Sequence, residues 1–134
     1  MPQQNVELMR GLYAAFAKGD VPGVLGAMAP DIEWREAEGS IFAGGNPYIG
    51  ANAILNGVLI KLATEWEKYA VTPAHFHDAG DNVIATGRYT GKYHATGKSL
   101  DAQFAHFGNL KDGKIASFQQ YTDTLQAAKV VANT

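Results

Sequence analysis

The stretch 87–108 reads Gly-Arg-Tyr-Thr-Gly-Lys-Tyr-His-Ala-Thr-Gly-Lys-Ser-Leu-Asp-Ala-Gln-Phe-Ala-His-Phe-Gly. Large apolar residues recur every second position on both sides of Thr96-Gly97, the period of a half-buried β-strand. The stretch therefore predicts a hairpin that turns at Thr96-Gly97. Counting outward sets Tyr93 against Leu100, Gly91 against Ala102, Tyr89 against Phe104 and Gly87 against His106. Side chains two apart share a face of a strand. One face then carries Tyr89, Tyr93, Leu100, Phe104 and His106; the other carries Arg88, Thr90, Lys92, His94, Asp101 and Gln103. The apolar face belongs inside and takes His106 with it, beside the open space at Gly87. A slip of one residue would turn His106 outward, against the apolar pattern.

The strands continue on both sides. Lys111-Asp112-Gly113 is strong hairpin chemistry and leads into a last strand, Lys114 to Thr124. There Phe118, Gln120 and Thr122 share a face, and Phe118 favours that face as interior. Asp78-Ala79-Gly80-Asp81-Asn82 is a turn between the strands Tyr69–Ala79 and Val83–His94. Residues after Leu125 read as a tail or a dimer arm. The first half is different. Val6, Met9, Tyr13 and Phe16 recur at helical steps, ending at Lys18-Gly19. Asp20 is placed as an N-cap with Pro22 in the first turn of a short second helix, which runs to about Met28 and is broken by Pro30-Asp31. Ile32–Glu36 alternates as a strand. Residues 37–50 form a Gly-rich loop carrying Phe42 and Tyr48, as pocket lids often do. Ala51 to about Trp66 is a third helix. Helices followed by an antiparallel meander make an α+β fold, and long twisted hairpins leave a hollow under the helices.

Composition excludes several classes. A chain of 134 residues suits one domain, and 46% hydrophobic with 18% charged residues supports a packed core. The net charge of −2 and the lack of a basic stripe argue against nucleic acid. With no cysteine, thiolate nucleophiles, disulfides and Cys-ligated metals are out. Met1–Asn5 has neither a basic nor an apolar signal region, and no apolar run is long enough to cross a membrane. A cytoplasmic protein with no membrane contact is the expectation. His75 and His77 share a strand face without a carboxylate beside them, a poor zinc set. No Gly-x-Ser-x-Gly is present.

Four segments carry a family resemblance: Leu12–Asp20, Ala29–Trp34, Pro47–Gly50 and Lys111–Ile115. Their order and spacing resemble the NTF2-like superfamily and, within it, the SnoaL-like proteins related to ketosteroid isomerase and small polyketide cyclases. The resemblance covers nearly the whole chain and implies one domain, 1–134. It implies a cystatin-like cone: three N-terminal helices on a curved antiparallel sheet of four to six strands, enclosing a pocket. It also implies a homodimer and no cofactor. By this resemblance Glu36 takes the place of the isomerase's catalytic aspartate. His106 takes the place of its oxyanion-hole aspartate and of the cyclases' histidine. The isomerase's first-helix tyrosine matches Leu12 better than Tyr13; Tyr13 and Phe16 themselves read as core. The cyclases' acid falls on Gln120, which cannot exchange a proton.

A Glu36–His106 pair across an apolar cavity suits acid–base chemistry. Glu36 would take a proton from a carbon next to a carbonyl, and His106 or Gln120 would hydrogen-bond the enolate oxygen. Trp34, Tyr48, Tyr89, Phe104, Phe118 and Gln120 would shape the pocket for a small apolar substrate. Plainer readings stand beside this one. His106 is also what a hydrogen-bonded core histidine looks like, and Glu36 lies in a charged run, Arg35-Glu36-Ala37-Glu38, that solvent would suit. The chain would then be a binding or carrier domain, or a dimerising module with an incidental cavity.

Overall fold

The computed structural model describes residues 2–133; Met1 and Thr134 lie outside the described residues. Helix α1 (Pro2–Lys18) ends where Gly19 turns left-handed, at φ 71°. Asp20 then caps α2 (Val21–Gly26), its carboxylate accepting from Gly23 N at 3.0 Å. Strand β1 (Met28–Arg35) starts immediately afterwards. Pro30 and Asp31 therefore do not break a helix; they lie within β1. The register against the last strand shifts between Met28 and Glu33, so Pro30, which has no N–H to give, sits where ladder bonds are interrupted.

After the Gly-rich loop, β2 (Tyr48–Ile49) adds an edge. Helix α3 (Ala51–Ile54) passes through a π-helical stretch, Leu55–Leu59, into α4 (Ile60–Glu65). Trp66 is already the first residue of the next strand. The meander follows as β3 (Trp66–Ala79), β4 (Asn82–Tyr93), β5 (Ser99–Lys111) and β6 (Lys114–Thr122). The sheet has six strands in the order β2-β1-β6-β5-β4-β3. Every pairing is antiparallel except β1 with β6, which is parallel, so the sheet is mixed. It is an α+β fold, with α1 packed on β3 and β4 and α3 on β1. The core between them includes Met9, Ile32, Ile54, Val83 and Ile115. No helix among the described residues is long and apolar enough to cross a membrane.

Two further expectations change. The β4–β5 hairpin has the expected faces, but its register is displaced by two residues: Ala85 opposes His106, and Gly87 opposes Phe104. The connection is longer than a tight Thr96-Gly97 turn, because β4 ends at Tyr93 and β5 resumes at Ser99. His94 N is drawn to Glu65 O at 3.0 Å, and the Thr96 hydroxyl donates to Val130 O at 2.7 Å. A shift of two preserves the side-chain period, so His106 still faces inward. The space at Gly87 is filled: a Cβ there would lie 2.1 Å from Thr72 O and 2.9 Å from the Phe104 ring. The second change is at the C-terminus. Residues 126–131, expected in a tail or a dimer arm, belong to α5 (Thr124–Val131), which is capped by Asp123 and packs on β5 of the same chain.

Candidate active site

The hollow between sheet and helices is a cavity of about 70 Å³. That is several times the smallest space that admits one water. Trp34, Glu36, Tyr89, His106, Phe118 and Gln120 all line it, from four strands or strand ends. Tyr13 and Phe16 of α1, Phe42 of the loop and Tyr69 of β3 complete much of the wall. Tyr48 and Phe104, expected on the wall, are not there. Tyr48 is clamped between Gly45 and Gly57, where added Cβ atoms would lie 2.3 and 2.2 Å from its ring, and its hydroxyl donates to Phe42 O at 2.6 Å. It holds the loop that carries Phe42. Phe104 lies behind the wall, stacked on the His106 ring at 4.1 Å between centroids. His75 and His77 are exposed on β3, away from the cavity.

Glu36 sits just past the end of β1 and is only 3% exposed. Its Oε2 accepts a 3.3 Å hydrogen bond from the Trp34 indole, and Oε1 has no hydrogen-bond partner among the described residues. Trp34 in turn stacks on Phe118 at 3.8 Å. Burial pushes the Glu36 carboxyl up to about 7, partly offset by the Trp34 bond. The charged run around it does not bring it to solvent. Arg35 and Glu38 point out as Glu36 points in.

His106 is 4% exposed and both its ring nitrogens are engaged, Nδ1 with the Tyr13 hydroxyl at 2.8 Å and Nε2 with the Tyr89 hydroxyl. One backbone group fixes the near end of this line. Ala37 N–H can only donate, so the Gln120 atom facing it at 3.0 Å is the carbonyl oxygen. The Gln120 amide nitrogen then donates to the Tyr89 oxygen at 2.8 Å. Tyr89 has no other acceptor among the described residues for its hydroxyl hydrogen, so we assign it as the hydrogen-bond donor to Nε2 of His106. In that tautomer the neutral ring carries its proton on Nδ1 and donates a hydrogen bond to the Tyr13 oxygen. The Tyr13 proton is left over, with no acceptor among the described residues. Burial holds His106 down to about 3, so the ring stays neutral. Burial raises the Tyr13, Tyr69 and Tyr89 hydroxyls, so all three keep their protons. The arrangement thus presents one carboxyl that exchanges protons near neutrality and a phenol that can donate a hydrogen bond.

Residues 9–118 match the family model of the SnoaL-like domain. The chain belongs to the SnoaL-like family. Among solved structures, this SnoaL-like chain is similar to an NTF2-like protein from Burkholderia thailandensis, with 39% identity, a TM-score of 0.89, and 94% of this chain and 95% of that one covered. A structure of TerC co-crystallized with polyporic acid is 26% identical over 95% of this chain and 97% of that one, with a TM-score of 0.84. A putative SnoaL-like polyketide cyclase from Jannaschia sp. shares the fold at 19% identity, with a TM-score of 0.81 and 98% and 94% of the two chains covered. No curated protein matches the chain.

The two residues that sequence reasoning missed are Tyr13 and Tyr69. From spacing Tyr13 reads as core, and Leu12 fits the family's tyrosine position better. Both Leu12 and Tyr13 are buried on α1, and only the partner, His106, distinguishes them. Tyr69 stands at the start of an alternating strand beside the β3 irregularity between Glu67 and Ala70, where the period gives no reliable face.

Proposed function

We propose that this SnoaL-like protein is a cofactor-free acid–base enzyme that removes a proton next to a carbonyl of a small apolar substrate, in an isomerase- or cyclase-type reaction. The observation that carries this reading is the shared cavity of a buried carboxyl with a free oxygen and a buried phenol with a free proton. Glu36 Oε1 would take the C–H proton. The C–H electron pair becomes the enolate C=C, and the carbonyl π pair moves to oxygen, where the Tyr13 proton stabilises it. His106 serves as a positioning residue here, because both its nitrogens are bonded to tyrosines. Gln120 orients Tyr89. A carboxyl poised near neutral pH is suited to both taking and returning the proton.

The test is deuterium uptake from D2O into a panel of small enolisable ketones, followed by NMR. Glu36→Gln should lower the rate at least about a hundredfold, within the usual range for general-base loss. Full retention of exchange by Glu36→Gln would sink the proposal. A second reading, ligand binding without turnover, is favoured by Gln120 and His106, neither of which can exchange a proton near neutral pH. The co-crystallization of TerC with polyporic acid supports a small-molecule site under either reading. Thermal shifts with bound ligands but no deuterium uptake would select it. We also propose a cytoplasmic homodimer. Its contact would include the outer sheet face, where Phe107 and Tyr121, 45% and 55% exposed, form an edge-to-face pair at 5.5 Å.

A further inference from the structure

We infer that the cavity selects 1,3-dicarbonyl compounds, in which one acidic C–H lies between two carbonyl oxygens; this rests on the acid–base reading above and narrows its substrate class. The chamber holds two uncommitted phenol protons, not one. Tyr13 reaches it from α1 with its oxygen occupied by His106 and its proton unused. Tyr69 reaches it from β3, and its hydroxyl has no hydrogen-bond partner among the described residues. Tyr69 is half-buried, and its hydroxyl is open to a ligand in the chamber. A monoketone would engage one of the two and leave the other without a ligand partner. A dicarbonyl satisfies both while offering its central carbon to the single base, Glu36.

The electronic demand agrees. Deprotonation between two carbonyls spreads the resulting charge over two oxygens, and each would meet one hydroxyl. Glu36 takes the central proton, the C–H pair forms the enolate C=C, and one carbonyl π pair moves to its oxygen; nothing is oxidised and no group leaves. Such an acidic C–H lies within reach of a carboxyl poised near neutrality without a metal. The planar enolate would also lie comfortably against the parallel Trp34–Phe118 pair, whose rings are tilted by only 10°. A second space of about 320 Å³ shares Phe16, Val24, Leu59, Leu62 and Tyr69 with the chamber. Its apolar wall would take the remainder of the substrate, an aryl or alkyl group.

Two probes with one carbon skeleton decide the matter: 1-phenylbutane-1,3-dione and 4-phenylbutan-2-one, which differ by one carbonyl oxygen. Dissociation constants by calorimetry should favour the dione by about tenfold, the upper range for one net hydrogen bond. Tyr69→Phe should cut that preference to about threefold or less, and the Tyr13→Phe/Tyr69→Phe double variant should abolish it. Equal binding of the two probes by the unmutated protein overturns the inference, as does failure of the dione to bind, or an unchanged preference in Tyr69→Phe. The comparison in the unmutated protein stands even if a variant misfolds. Glu36-dependent deuterium uptake into 4-phenylbutan-2-one without a dione preference would remove this inference and keep the general acid–base reading.

Discussion

Replacing Glu36 by Gln should change how stability depends on pH in a way no other substitution would. The folded protein holds the Glu36 proton up to about 7, against an ordinary value of 4.5. Below pH 4.5 the carboxyl is protonated in both folded and unfolded chains and contributes no pH dependence. Between 4.5 and about 7 the unfolded chain gives up the proton while the folded one retains it, so stability falls as pH rises. Above 7 both have lost it and the loss is complete. At about 1.4 kcal/mol per tenfold change in proton affinity, the total is about 3 kcal/mol. Glutamine keeps the shape and can still accept from Trp34, but it does not titrate. Denaturant unfolding of both proteins at pH values from 4 to 8 isolates the effect. The opposing contribution of His106, lost as pH falls below its ordinary 6.5 towards about 3, is common to both and cancels. Glu36→Gln should gain on the parent by about 3 kcal/mol across the range, with the midpoint near pH 6. A stability difference flat in pH would refute both the buried carboxyl and the base assigned to it.

Other perturbations test the scaffold. Gly57→Ala places a methyl 2.2 Å from the Tyr48 ring, and should cost about 1–3 kcal/mol in chemical denaturation. Gly87→Ala meets backbone rather than a mobile side chain, Thr72 O at 2.1 Å, and should be the more damaging of the two by the same assay. Asp123→Ala removes the cap of α5 and should cost about 1 kcal/mol, measured by thermal unfolding. Phe107→Asp with Tyr121→Asp should convert a dimer to a monomer in light scattering at unchanged helical content; a persistent dimer would place the contact elsewhere.

Much of this fold is legible because its strands alternate cleanly. Tyr89, Leu100, Phe104 and His106 can be sorted inward from spacing alone, and Trp34 and Glu36 follow the same rule. The register is not legible from the turn residues, since it depends on His94 and Thr96 bonding to Glu65 and Val130, far away in sequence. A two-residue error leaves every face correct, which is why the inward histidine survives it. Helix α5 is hidden because its cap, Asp123, follows the last β6 residue, Thr122, directly, and the helix packs on β5. Within the site, buried positions are readable but hydrogen-bond partners are not. Tyr13 and Tyr48 look alike as buried aromatics. One ends a hydrogen-bond chain and the other pins a loop, and only the groups around them tell the two apart.

The relay from Ala37 to Tyr13 has a further consequence. A main-chain N–H fixes the Gln120 amide at one end, and the tyrosine–histidine bonds are built on from there. Substitutions along the line can weaken the signal, but none of them can reverse its source; only proline at position 37 removes the group itself. A lineage that exchanges the pocket's aromatics for a new ligand would therefore inherit a phenol already facing the right way. The adaptable part of this protein is its wall, and its fixed reference is a single peptide bond.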